Sequence, residues 1–173
     1  MEHMKKIIGI TGGVGAGKSS VLAVLKENFG AKIILADLVA HELMEPGSEG
    51  LKKVTEALGT SFLDPDGSVD RKALADVIFR NKDALRTMNA IIHPLVWKTM
   101  AEAAESAKEQ LVIIEAAVFD TAPKDLFDEL WYVYTTKENR IIRLMANRGY
   151  SREKCEDIIG RQASEGEYRA LCD

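Results

Sequence analysis

The sequence predicts an α/β protein: a parallel sheet with helices on both faces and a helical insertion between strands. Three observations lead there. Short β-branched runs alternate with helix-patterned stretches. A glycine-rich segment, GITGGVGAGKSS (Gly9 to Ser20), joins the first such run to the first helical one. Between the second and third strand-like runs, Ser48 to Lys108 carries helical patterning and no strand signal.

Taken in order, KKIIGIT (Lys5 to Thr11) is a short β-branched run that ends in glycines, which suits a buried parallel strand better than an alternating surface one. KSSVLAVLKENF follows with Val21, Leu22, Val24, Leu25 and Phe29 at helical spacing, and Gly30 marks its end. AKIILAD (Ala31 to Asp37) repeats the strand pattern, and LVAHELM and the turn EPGSEG come next. Inside the helical block, LDPDGSVD is a cluster of turn formers. VDRKALADVIF reads as a helix with Asp70 near its first turn, where the macrodipole favours an acid. In KDALRTMNAIIHPLVWKTMAEAAESAK, Pro94 is expected to end one helix or kink a longer one. Strand character returns in LVIIEAAV (Leu111 to Val118) and LWYVYTT (Leu130 to Thr136). KENRIIRLMANRGYSREKCEDIIGRQ gives two helices parted at Gly149 and Tyr150, with Lys154 where a capping box after Ser151 would need an acid.

A length of 173 residues suits one domain with attachments, and 46% hydrophobic against 29% charged residues is ordinary for a globular chain. With 23 Lys plus Arg and 27 Asp plus Glu, the formal charge of −4 offers no global field for nucleic acid, so any anionic ligand must be held locally. No apolar run approaches the roughly 20 residues of a membrane span and no signal peptide opens the chain, so the reading is a cytoplasmic protein without a membrane partner. Cys155 and Cys172 lack metal-site spacing and read as free thiols in a reducing compartment.

Gly12, Gly17, Lys18 and Ser19 satisfy G-x-x-x-x-G-K-[ST], the P-loop, with a strand before it and a helix after. The glycines let successive backbone N–H groups curl around phosphate oxygens, and the helix N-terminus adds partial positive charge. Gly12, Gly13, Val14, Gly15, Ala16, Gly17, Lys18, Ser19 and Ser20 are therefore the candidate ATP-binding residues. Lys18 would reach the β- and γ-phosphates and Ser19 would ligate Mg2+.

A P-loop leaves three classes open: a small-molecule kinase, a GTPase switch, and an ATPase or nucleotide-binding module. DPDG (Asp64 to Gly67) matches D-x-x-G but contains a proline and follows no strand, so it reads as a β-turn; NKDA has Ala84 where a guanine reader needs Asp. LVIIEAAVFD offers Glu115 and Asp120 but no adjacent acidic pair for an ATPase. The kinase reading needs a group on the acceptor side. Asp37, expected at the carboxyl end of the second strand, could take a proton from an attacking hydroxyl; the alternative is a helix N-cap. Arg140, Arg143 and Arg148 fall on one predicted helix, with Arg152 and Arg161 beyond. Arginines there could close over a transferring phosphoryl group, or form a solvated face paired with Glu138, Glu153 and Glu156.

With the P-loop, Asp37, VDRKALADVIF, IIHPLVW and RIIRLMANRGYS in view, the chain resembles the dephospho-coenzyme A kinases from Met4 almost to its end. That resemblance implies phosphorylation of the ribose 3′-hydroxyl of dephospho-CoA by ATP with Mg2+, the alternative being another small-molecule or nucleoside monophosphate kinase of the same architecture. It assigns the proposed base to Asp37, substrate contacts to Arg71 and to His93 beside Pro94, lid arginines to Arg143 and Arg148, and a glutamine after the lid to Gln162. A hydrogen-bonded histidine bracing a kinked helix is the other reading of His93. The implied division of a single P-loop kinase domain is a core at about 4–37 and 108–137, a helical CoA-binding region at about 38–107 and a lid at about 138–162. Two stretches depart from the family pattern: Leu35 stands where the family's D-A-D has its first acid, and AAVFD replaces a PLLFE-like stretch. The sequence stops at ALCD where such proteins continue, so a further closing strand beyond Asp173 is expected.

Overall fold

The computed structural model describes residues 5–119 and 121–173. Asp120, named above for the ATPase alternative, lies outside them. The elements run β1 (Lys6–Thr11), α1 (Lys18–Phe29), β2 (Lys32–Leu35), α2 (Ala36–Glu42), α3 (Glu49–Leu58), α4 (Arg71–Arg80), α5 (Lys82–Ser106), β3 (Leu111–Glu115), β4 (Glu129–Tyr132), α6 (Lys137–Arg148), α7 (Arg152–Gly160) and α8 (Glu165–Leu171). They form two compact units: Met1–Ile34 with Ala104–Asp173, and Leu35–Ala103. Among the described residues, no helix is long and apolar enough to cross a membrane.

The first unit holds the sheet, in the order β2-β3-β1-β4. β1 pairs in parallel with β3, from Lys6 opposite Leu111 to Ile10 opposite Glu115, and with β4, from Ile8 opposite Glu129 to Thr11 opposite Tyr132. Ile8, Ile10 and Val112 to Ile114 are buried, as unbroken apolar runs in parallel strands require. The strands are shorter than the runs that predict them. β3 stops at Glu115 and β4 at Tyr132; past these, Ala116 N donates to Ile10 O at 3.2 Å and Val133 N to Thr11 O at 2.9 Å.

α1 ends at Gly30, whose φ of 63° closes the helix, but only Leu22 and Leu25 of its apolar residues are buried. Val24 and Phe29, counted in the apolar stripe, are 49% and 66% exposed. α6 and α7 share a small core of Ile141, Leu144, Cys155 and Ile159, against which Val14 and Tyr150 pack. Cys155 is thus a core residue. Ser151 caps α7 by accepting from Lys154 N at 3.2 Å, the half of a capping box that the sequence allows. α8 carries a complete box, Ser164 with Glu167. Tyr168 of α8 stacks on Tyr132 with ring centroids 4.8 Å apart. Beyond it, Asp173 N donates to Leu130 O at 2.9 Å, and Leu130 N donates to the Asp173 carboxylate at 2.7 Å.

The second unit is helical. Ser48 caps α3 by accepting from Leu51 N at 3.2 Å, and Asp70 caps α4 by accepting from Lys72 N at 2.8 Å and Ala73 N at 3.1 Å. DPDG is a β-turn, closed by Gly67 N to Asp64 O at 2.9 Å and framed by an antiparallel bridge between Leu63 and Val69. α5 does not end at Pro94 but runs through it for 25 residues. Ile92, Leu95, Val96, Trp97 and Met100 around the proline are all buried. Burying each is worth about 1.5–3 kcal/mol, which together outweighs the roughly 3 kcal/mol of a mid-helix proline. Val54, Phe62 and Met100, fully buried, centre this unit's core.

One boundary bears on a candidate site residue. β2 closes at Leu35 and α2 begins at Ala36, so Asp37 lies in the first turn of α2 and is neither the end of the strand nor the N-cap. The cap position is Leu35, extended at φ −108° and ψ 117°, with no side-chain cap. Ala36 readily starts a helix, and the acid one place on gains from the macrodipole.

Candidate functional site

In the first unit, the loop after β1 borders a cleft of about 830 Å³ lined by Gly13 to Val21, Val133, Tyr134, Arg143, Leu144, Asn147 and Arg148. Gly17 is the N-cap of α1 at φ 105° and supplies no side-chain cap; Ser20 N donates to Gly17 O at 3.1 Å, and the amides of Lys18 and Ser19 keep their donors for another acceptor. Ser19 and Ser20 are exposed at this end of α1. Lys18 Nζ donates to Gly12 O at 2.7 Å and stands 3.6 Å from the Glu115 carboxylate. Among the described residues, none lining the cleft is acidic, whereas Lys18, Arg143 and Arg148 are cationic. Gly12 itself sits behind the loop at φ 152°, where a Cβ would come within 2.6 Å of Val133 O.

The helix after β4 contributes its arginines unequally. Arg143 Nη1 donates to Ala16 O at 2.9 Å and to Gly15 O at 3.3 Å, and Arg148, in the last turn of α6, lines the same cleft. Arg152 instead makes paired hydrogen bonds to Glu138 at 2.9 and 2.6 Å and an ion pair with Glu156 at 3.2 Å. Arg161 pairs with Asp157. The solvated-face reading therefore describes these two, though not through Glu153. Arg140, which sequence reasoning grouped with Arg143 as part of a flap, is only 8% exposed and donates from Nε to Val14 O at 2.8 Å. Its signal was its company: Arg140, Ile141 and Leu144 are the residues that α6 buries.

A second cleft, of about 610 Å³, lies within the Leu35–Ala103 unit and is lined by Asp37, His41, Glu45, Ser68 and Arg71 among others. Arg71 Nη2 donates to His41 Nδ1 at 3.3 Å, so the ring proton sits on Nε2, which faces the Glu45 carboxylate at 3.1 Å. Asp37 and Arg71, assigned above to the substrate, thus share one cleft. His93 is exposed on α5 and does not line it. His41 and Glu45 carry no signal in the sequence beyond the spacing of Asp37 and His41 by four within α2, since Glu45 lies in the turn past the helix end.

A parallel sheet whose β1 runs into a glycine loop, an uncapped helix and a lysine inside a cation-lined cleft is the arrangement of a P-loop α/β fold. Solved structures agree at the level of the fold: a dephospho-CoA kinase from Campylobacter jejuni superposes with a TM-score of 0.68 at 21% identity, covering 98% of this chain and 86% of that one. Shikimate kinase from Acinetobacter baumannii gives 0.50 at 18%, covering 98% and 82%. The chain belongs to the dephospho-CoA kinase family, whose model matches residues 6–173. Among its relatives, the dephospho-CoA kinase of Geobacter metallireducens is 36% identical over 160 residues, covering 90% of this chain and 79% of the relative. That of Carboxydothermus hydrogenoformans is 37% identical over 171 residues, covering 96% and 82%.

Proposed function

We propose that the loop cleft binds ATP through Gly12 to Ser20 and that the cleft of Asp37 and Arg71 serves the acceptor. As a kinase of its family, the enzyme transfers phosphate from ATP to the ribose 3′-hydroxyl of dephospho-CoA, giving CoA. The observation that carries the ATP assignment is the uncapped N-terminus of α1 opening, with Lys18, into a cleft whose charged lining among the described residues is cationic. Backbone N–H groups and the helix dipole are suited to phosphate, and Lys18 adds a charge that interacts more strongly as negative charge grows on the transferring group.

Within this reading, Asp37 orients the 3′-hydroxyl and takes its proton. Its carboxylate is exposed in the first turn of α2, open to an approaching hydroxyl. Arg71 contributes a cation for the anionic acceptor, and His93 is assigned to the acceptor through the family resemblance alone. Arg143 and Arg148 offset charge on the transferring phosphoryl group. Accordingly, Leu35–Ala103 is the CoA-binding region, and α6 with α7 is the lid.

Mg2+ fits the residues present. No cluster of three or more His, Cys, Asp or Glu is arranged for a metal among the described residues, and the exposed Ser19 hydroxyl offers one hard oxygen beside the phosphate-binding loop. Mg2+ commonly takes one or two protein oxygens, with substrate phosphates and water completing its shell. Held there by Ser19, the ion would supply positive charge that offsets the charge developing on the phosphates during transfer.

The test is a coupled ADP-release assay with dephospho-CoA, adenosine and a nucleoside monophosphate side by side, with and without Mg2+. Turnover is expected with dephospho-CoA and to depend on the metal. Turnover with the nucleoside monophosphate alone would overturn the acceptor assignment.

A further inference from the structure

Arg140 and Gln162 line neither cleft, and the roles above give them nothing to do. Yet Arg140 is buried, an environment in which an ionised group is tolerated only when its donors are satisfied. Its Nε donates to Val14 O at 2.8 Å and its Nη2 donates to Gln162 Oε1. The same Gln162 oxygen accepts from Val14 N at 3.1 Å. Both backbone polar groups of Val14, near the tip of the loop, are thereby held by two side chains that are themselves bonded to each other.

The packing around this ring leaves it little freedom. Val14 packs on the cluster of Ile141, Leu144, Cys155 and Ile159, which anchors the helix carrying Arg140. A Cβ on Gly13 would overlap the Arg140 guanidinium, and one on Gly15 would come within 3.0 Å of Arg140 O. Gly13 has no positive φ, so its lack of a side chain answers to this close approach and not to backbone conformation.

We infer that Arg140 and Gln162 are positioning residues for ATP: their ring about Val14 sets the curvature of the loop that lines the phosphate cleft. Neither residue touches the nucleotide in this account. The inference rests on reading the loop cleft as the ATP site.

The test is a double-mutant cycle on the full chain, read as ATP dissociation constant by calorimetry. Gly13→Ala must displace the guanidinium and is expected to weaken ATP binding about tenfold in the natural background, the scale of one broken buried hydrogen bond. In the Arg140→Ala background it should cost less than about twofold, because the obstacle and the ring are already gone. Equal losses in both backgrounds would overturn the proposal. Should Arg140→Ala fail to fold, Arg140→Leu, which removes the guanidinium while keeping apolar bulk at this buried position, replaces it in the cycle with the same expectation. Gln162→Glu, which keeps an oxygen for both donors, should bind ATP to within about threefold of the natural chain while Gln162→Leu does not. The KM for dephospho-CoA should stay within about twofold throughout; a rise matching the loss of ATP affinity would point to general loosening and refute the assignment. ATP binding is measured without acceptor. A chain that binds ATP but does not turn over dephospho-CoA would sink the acceptor reading alone, and one that binds no ATP would sink the reading of the loop cleft.

Discussion

The two clefts are made of different material. In the first unit the cleft-facing surface is largely backbone, a loop curled so tightly that glycines occupy places where a Cβ would meet Val133 O or the Arg140 guanidinium. In the second it is side chain: His41 and Glu45 are 53% and 55% exposed and rest on one another and on Arg71. A site built of backbone depends on the path of the chain and fails when that path moves. One built of exposed side chains loses its contacts one at a time, since water and counterions replace what a substitution removes.

The largest effect should come from Lys18→Ala in the backbone-built site. We expect kcat to fall by about 10³-fold or more, since a cation aimed at charge growing in the transition state is lost, with far-UV circular dichroism unchanged. Unfolding of the variant would break the comparison, because the 2.7 Å bond to Gly12 O would then be holding the loop together.

Asp37→Asn tests the side-chain-built site. Loss of a positioned base should cost kcat on the order of 10²-fold. Stability should change by less than about 1 kcal/mol, the worth of an acid in a first helical turn. Near-normal kcat would leave Asp37 a helix-dipole residue only.

Smaller again are Arg143→Ala and Arg148→Ala, each expected to lower kcat about tenfold while moving the KM for dephospho-CoA less. A rise in that KM alone would transfer these arginines to the acceptor and sharpen the comparison differently.

The smallest effect lies on the surface joining α6 and α7. Hydrogen bonds from Arg152 hold the Glu138 carboxyl below its ordinary value. A carboxyl depressed by folding contributes stability above its unfolded pKa, and that contribution is lost as pH falls through the folded value. The Tm difference between the natural chain and Glu138→Gln should therefore be small near pH 7 and vanish as the pH falls through the depressed folded value. A difference that persisted in acid would show that the pair acts by packing.

Local chemistry made much of this protein legible in its sequence. The phosphate loop could be read because close backbone approach admits few residues but glycine, and the strands because a buried parallel run must be apolar throughout. Ser151 could be read because capping is settled within a few residues of chain, whereas Asp70, expected as a first-turn acid, is the N-cap just before that turn. The change from β2 to α2 is different: it passes through Leu35, which bears no capping group, so Asp37 was placed at a strand end when it lies in a helix. Arg140 and Arg143 stand three residues apart on α6, identical as letters, yet one is buried on Val14 and the other bonds the carbonyls of Gly15 and Ala16. Val24 and Phe29 are apolar by type and exposed in fact. His41 acquires its role from Arg71, thirty positions along the chain. What the sequence determined by itself was whatever depends on a residue's own backbone and near neighbours. What only the tertiary structure decided was which of several equivalent side chains is buried and against what, because burial and pairing are properties of surfaces that folding brings together from distant stretches of chain.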